Sequence, residues 1–173
     1  MDNVIELATN VLKITPQRWM NLMDALPVEL LTRQPLPGEW SAAECLQHLI
    51  DVEEHVFRFR VQCFLEGKDR FPGFFPDEEG SKLDGSPNFT DLAAKFARMR
   101  QESLPILSQV TPDDLSREAI HGELGVVTLE NLLNEWAAHD LNHLVQAERA
   151  LMQPFIQDSG AWKVYFTDHI AGA

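Results

Sequence analysis

Two histidines one helical turn apart, His139 and His143, sit inside an apolar periodic stretch, and a third, His48, sits inside another. No other feature of the chain restricts its fold as strongly. Positions i and i+4 stack on one face of a helix, so the pair can aim both rings at one point. Between Thr128 and Gln153 the stripe through Leu132, Trp136, His139, His143, Ala147 and Ala150 follows helical spacing and is otherwise apolar or small. Between Ser41 and Glu66 a similar stripe runs through Cys45, His48, Val52, Phe59 and Cys63. Both stripes are expected to face a core. A buried imidazole without a partner costs roughly 1–3 kcal/mol. One divalent cation shared by His48, His139 and His143 would satisfy all three, whereas the alternative is a separate hydrogen bond for each ring. Three protein nitrogens leave a metal with an open position, the arrangement of catalytic rather than structural sites. Cys45, one turn before His48, is a candidate soft fourth ligand, although a small buried thiol more often acts as a hydrophobe.

The rest of the chain also reads as helices joined by irregular segments. Val4, Leu7, Ala8, Val11 and Leu12 keep helical spacing; Thr15-Pro16 reads as a cap with proline at a first helical position, so that Trp19, Met20, Leu22, Met23 and Leu26 either start a new helix or continue the first after a kink. Ser41-Ala-Ala-Glu44 forms a capping box that opens a long helix ending near Gly67. Lys68 to Asn88 is rich in Gly, Pro and acidic residues and reads as a long loop. Its Phe71, Phe74 and Phe75 are expected to tuck beneath it as a satellite cluster. Leu92, Phe96, Met99, Leu104 and Leu107 mark another helix, which Pro105 kinks or divides. Thr111-Pro112-Asp-Asp starts another short helix, and Ala119 to Val127, with Gly122 and Gly125, reads as a small hairpin or extended turn. Thr128 caps the histidine-bearing helix and Pro154 is expected to end it. Trp162, Tyr165, Phe166 and Ile170 make an apolar tail that should dock on the body or on a second subunit. Four main helices predict an all-α four-helix bundle, which commonly carries metal between facing helices. With 173 residues, the whole chain, 1–173, is expected to form one domain.

Net charge is −13, and the isoelectric point is about 4.7. Such a surface repels phosphate backbones and anionic membranes, so neither nucleic acid nor membrane is an expected partner. No apolar run approaches the ~18–20 residues of a membrane span. The acidic start Met1-Asp2-Asn3 lacks the pattern of a signal peptide, and a cytoplasmic location is the expectation. Cys45 and Cys63 make no disulfide framework, being roughly 27 Å apart if one helix carries both.

The segment Pro37-Gly-Glu-Trp-Ser-Ala-Ala-Glu-Cys-Leu-Gln-His48, continuing to Glu54, resembles the first signature of the DinB-like (YfiT-like) family of four-helix metal proteins. Gly125 to Gln146, with His139-Asp-Leu-Asn-His143, resembles the second, and Gly160-Ala-Trp162-Lys-Val-Tyr165 resembles a common ending of the family. The resemblance runs from about Leu12 to Tyr165. It implies that His48, His139 and His143 are metal ligands and that the usual assembly is a homodimer. Relatives include thiol-dependent S-transferases and a mycothiol-dependent maleylpyruvate isomerase, so it also implies a metal-bound thiol or water acting on a small-molecule substrate.

Zinc and nickel suit imidazole ligands. A coordinated low-molecular-weight thiol would be held as thiolate. Glu135, one turn before His139, and Asp51, nearly one turn after His48, are candidate acid/base or ring-orienting carboxylates. Thiol cofactors carry carboxylates and need basic anchors. Arg58, Arg60, Arg98, Arg100 and Arg149 are available, and nothing in their spacing places one near the histidines. His55 is expected at a pocket rim or on the surface, not as a fourth ligand, and no role follows for His121 or His169. A non-catalytic, metal-stabilised binding or stress-response bundle is the competing reading. The presence of a cavity beside the metal discriminates the two.

Overall fold

Each of the four long helices opens on a polar side chain that takes up an otherwise orphaned backbone N–H. The computed structural model describes residues 3–74, 83, 85 and 87–172. Helix α1 (Val4–Ala25) starts where Asn3 accepts from Ile5 N at 3.2 Å. A single turn, α2 (Val28–Leu31), follows. Helix α3 (Ala42–His55) starts on the reciprocal Ser41–Glu44 box expected from the sequence. Helix α4 (Phe57–Leu65) comes directly after it. Helix α5 (Phe89–Ser103) is capped by Asn88, which accepts from Thr90 and Asp91. Thr128 and Asn131 cap the longest helix, α6 (Leu129–Asp158). Short 3-10 turns span Leu104–Gln109, Pro112–Asp114 and Gly160–His169.

The long helices form a four-helix bundle in which α1 packs on α5 and α6, and α3 packs on the same two. Going round the bundle the order is therefore α1, α5, α3, α6. Helices that follow one another in the chain lie on diagonals or are joined by long crossing connections. Trp19, Phe57, Phe64, Phe96 and Trp136 fill the interior and are all but fully buried. A small sheet closes one end. Strand β1 (Arg70–Phe71) pairs in parallel with β2 (Glu118–His121), with Phe71 opposite His121. Strand β2 pairs antiparallel with β3 (Gly125–Thr128), as the glycine-flanked turn suggested. A Cβ on Gly122 would sit 3.0 Å from Gly73 N, so glycine lets the hairpin lie this close to the chain after β1.

Three local expectations are corrected. Thr15-Pro16 does not start a helix: Pro16 is buried inside α1. A mid-helix proline leaves the carbonyl four residues back without its N–H. Here that carbonyl, Leu12 O, accepts from Arg100 Nη1 at 3.2 Å instead. Pro154 likewise lies inside α6, which runs on to Asp158. The stretch Ser41 to Glu66 is two helices, because Val56 (φ −116, ψ −74) breaks the ladder. The break turns the later residues relative to the His48 stripe. Phe57 is buried where periodicity pointed to Phe59, which is 46% exposed. Phe71 and Phe74 do pack against the core, and Phe75 lies outside the described residues. The tail is largely uncovered, with Trp162 69% and Tyr165 77% exposed. Its end is tied down, where Arg149 and Gln153 donate to the carbonyls of His169 and Ile170. Cys45 and Cys63 are buried free thiols.

Arg100 lies at the centre of the bundle, and its side chain is 1% exposed. It pairs with Glu53 through Nε and Nη2 (3.0 and 2.9 Å) and with Asp140 through Nη1 and Nη2 (2.7 and 3.0 Å). Thr15 also donates to Asp140. These contacts join α1, α3, α5 and α6. Burial alone works against the guanidinium charge, but Asp140 and Glu53 outweigh it and raise its pKa above the ordinary arginine value. Arg100 is thus a structural cation and is withdrawn from the set of candidate substrate anchors. Removing one member of such a buried network strands the others. Arg100→Met is expected to lower unfolding free energy by about 3–5 kcal/mol in urea titration, whereas Arg98→Met, on the outer side of the helix, should change it by no more than about 0.5 kcal/mol.

Candidate metal centre and its cavity

His48 comes from the middle of α3, and His139 and His143 come from successive turns of α6. The apolar stripes of these helices pack on each other, which brings the three rings together. One ring nitrogen from each lies within 4.8 Å of the other two. The Nε2 atoms of His48 and His139 are 3.1 Å apart, and the ring centroids are separated by 4.5–5.1 Å. Nitrogens held tetrahedrally at about 2.0–2.1 Å from one zinc-sized ion sit about 3.3 Å from each other. The donor set therefore fits such an ion after sub-ångström to ångström adjustment.

Electrostatics favour the same use. Burial, and then the neighbouring histidines, lower His48 to a pKa of about 3. Burial, His143, Arg100 and Arg60 lower His139 to about 3. Burial also lowers His143, with Gln146 and Asp140 opposing. Neutral imidazoles with free lone pairs are what a cation requires. His143 Nδ1 donates to Gln146 Oε1 at 2.9 Å, which leaves its Nε2 unprotonated. His139 Nδ1 is buried without a hydrogen-bond partner among the described residues.

A cavity of about 430 Å³ opens beside His48 and His139. Val52, Val56, Phe57, Phe71, Phe74 and Leu132 form its apolar walls, and Arg60, His121, Glu123 and Glu135 bring polar groups into it. The two candidate carboxylates separate here. Glu135 lines the cavity, and burial pushes its carboxyl up to about 7, with Arg60 working against the shift. Glu135 is nonetheless exposed to solvent as a residue. Asp51 does not line the cavity; it is half-buried and accepts from Gln47 Nε2 at 2.8 Å. Cys45 does not join the histidine cluster. Burial, and then Glu44, push its thiol up to about 12, so it is no thiolate near neutrality. His55 is exposed and does not line the cavity; its ring lies 6.5 Å from that of Phe74, a cavity wall residue.

Several residues of the site were not assigned a place in it from the sequence, although Trp136 shares the histidine stripe. Trp40 covers the cluster from another side, its ring 4.8 Å from that of His48 and 5.8 Å from that of His143. Trp136 stacks flat on Phe57 with centroids 5.2 Å apart, and Phe57 meets His139 edge-on. Arg60 reaches the cavity because the break at Val56 rotates α4; straight-helix periodicity could not show this. His121 gets there through the pairing of β2 with β1.

Comparison with known proteins follows the same lines. The sequence model of the DinB superfamily matches residues 12–147, a span that includes all three histidines. Among solved structures, YfiT from Bacillus subtilis is similar, with a TM-score of 0.74 over 87% of each chain at 17% identity. It is described as a probable metal-dependent hydrolase with an unusual four-helix bundle topology. At that identity the likeness concerns the fold. No curated protein matches the sequence. Because the family match spans most of the chain, the protein belongs to the DinB superfamily.

Proposed function

We propose that this protein is a metal-dependent enzyme in which His48, His139 and His143 hold one divalent cation of the zinc or nickel class. One observation carries this reading: the three rings converge, and two of them, His48 and His139, line the wall of a cavity and are not shut in a closed shell. Among the described residues no fourth His, Cys, Asp or Glu joins the cluster. A purely structural site should instead be sealed by a fourth protein ligand.

When bound, such a cation supplies Lewis acidity, keeping a coordinated thiol or water deprotonated near neutral pH. The chain supplies the rest. The neutral histidines provide three lone pairs, and Gln146 fixes the ring of His143. The apolar walls restrict water and strengthen electrostatics inside the cavity. Glu135, with its carboxyl near neutrality, can take a proton from the nucleophile and return it to the leaving group. A thiol S-transferase-like reaction and a hydrolysis both fit this arrangement, and a low-molecular-weight thiol is the first nucleophile to test.

The same reading extends to assembly. Trp162, Val164 and Tyr165 are each more than two-thirds exposed, and Phe155 at the end of α6 adds to them. A second copy of the chain would cover such a patch, and closed two-fold dimers are the commonest soluble assembly. The described helices include none long and apolar enough to cross a membrane.

Three outcomes test these readings. His143→Ala, purified without an affinity tag, should retain about a tenth or less of the parent's metal by elemental analysis. Its helical circular dichroism should be unchanged, and metal content equal to the parent would refute the ligand assignment. Glu135→Gln should keep its metal while losing about a hundredfold or more in rate, measured with small thiols plus an activated electrophile or with a panel of hydrolysable esters. A carboxyl accepts a proton only when ionised, so the parent's rate should rise with pH through about 7, and that limb should vanish in the variant. Light scattering during size exclusion should report a dimer mass at micromolar concentration; a monomer mass there overturns the assembly.

A further inference from the structure

The cavity holds a second polar group set that the metal chemistry does not use. Arg60 extends from α4 with its guanidinium carbon 5.1 Å from the centre of the Phe71 ring. Its only close polar contact among the described residues is a long one, 3.4 Å to Pro72 O. Among the described ion pairs none involves it. His121 stands edge-on to the same ring at 5.6 Å. Its Nδ1 accepts from the backbone N–H groups of Glu123 and Leu124, at 3.1 and 3.3 Å. An accepting Nδ1 in a neutral ring places the proton on Nε2, so His121 offers an N–H donor. The Phe71–His121 pairing across β1 and β2 sets these groups together on one platform. Both line the cavity that His48 and His139 also line.

A guanidinium and a neutral N–H donor make a good seat for a carboxylate, since arginine presents parallel donors that match two carboxylate oxygens. Glu123 and Glu135 also line the cavity and lie close enough to support the charge of Arg60; they oppose a dianion such as phosphate more strongly than a monoanion. The remaining walls are aromatic and aliphatic, and about 430 Å³ suits a small molecule. We propose that the cavity binds a small monocarboxylate with an apolar body, its carboxylate held by Arg60 and His121 and its other end directed to the histidine cluster. Only the direction of that far end rests on the metal-centre reading; the carboxylate seat itself stands apart from it.

Ligand-observed NMR titration of the full-length protein with 3-phenylpropanoate and with its primary amide tests this. Zinc-loaded and chelator-treated samples are run in parallel. The acid should bind about tenfold more tightly than the amide in both. Arg60→Gln should bring the two within about twofold while leaving zinc content and circular dichroism unchanged, and Arg60→Lys should keep part of the preference. If Arg60→Gln does not fold, Arg60→Met, which retains the stem over Phe71, serves in its place. Equal binding of acid and amide by the parent overturns the proposal, as does a preference that survives loss of Arg60. A preference present only with zinc also overturns it, because the carboxylate would then sit on the metal. A parent that binds no zinc yet prefers the acid would instead sink the metal-centre reading and support this one.

Discussion

Arg100 is the interaction on which the rest of the bundle depends. Its guanidinium joins Glu53, Asp140 and the Leu12 carbonyl, and so fixes four helices at one level. The group also accounts for the proline tolerated within α1. Pro16 frees Leu12 O, and a buried carbonyl needs a donor. Arg100 provides it, so the helix continues where proline alone would favour a break. The cluster carries two negative charges and one positive, in an interior that tolerates only well-bonded ions. A buried network of this kind adds little net stability compared with an apolar core, yet it strongly penalises any arrangement that leaves a member unpaired. It thereby specifies one packing of α3 against α6, and that packing determines where His48 meets His139. Asp140, next to His139 in the chain, links the two layers directly.

The interruption at Val56 does for the cavity what Arg100 does for the centre. A continuous helix would point Phe59 inward and carry Arg60 elsewhere. With the ladder broken, Phe57 stacks on Trp136 and Arg60 lies over Phe71. The helical wall of the chamber and the cation that faces it thus follow from a single irregular residue, while the small sheet and its connections supply the opposite wall.

This division also marks what the sequence could reveal. The histidine triad was legible because helical periodicity is local and strict: a spacing of four residues puts both rings on one face, whatever the rest of the chain does. The bundle, the Ser41 and Thr128 caps and the small hairpin were legible from equally local patterns. The Pro16 assignment failed because tolerance of that proline depends on a donor 84 residues away, which no local rule contains, whereas Pro105 and Pro112 do mark helix boundaries as read. Arg100 did leave a trace. It shares a helical face with Phe89, Ala93, Phe96 and Ser103, and a charge on an apolar face calls for a buried counter-ion. Glu53 and Asp140 sit on comparable faces of α3 and α6. Arg60 and His121 left no such trace, since one depends on a helix break and the other on pairing between distant strands.

The order of the helices round the bundle bears on how the protein is made. His48 and His139 lie 91 residues apart in the chain, and α6 carries two of the three ring nitrogens. A nascent chain emerging from the ribosome has only one of the three histidines through all of α1 to α5. The cluster cannot assemble until the last long helix is released and closes a long loop, a step whose entropic cost precedes any reward from contacts. Convergence of the three rings therefore belongs to the end of synthesis. Until then Glu53 and Arg100 must wait for Asp140, and a truncated chain would expose an unfinished core.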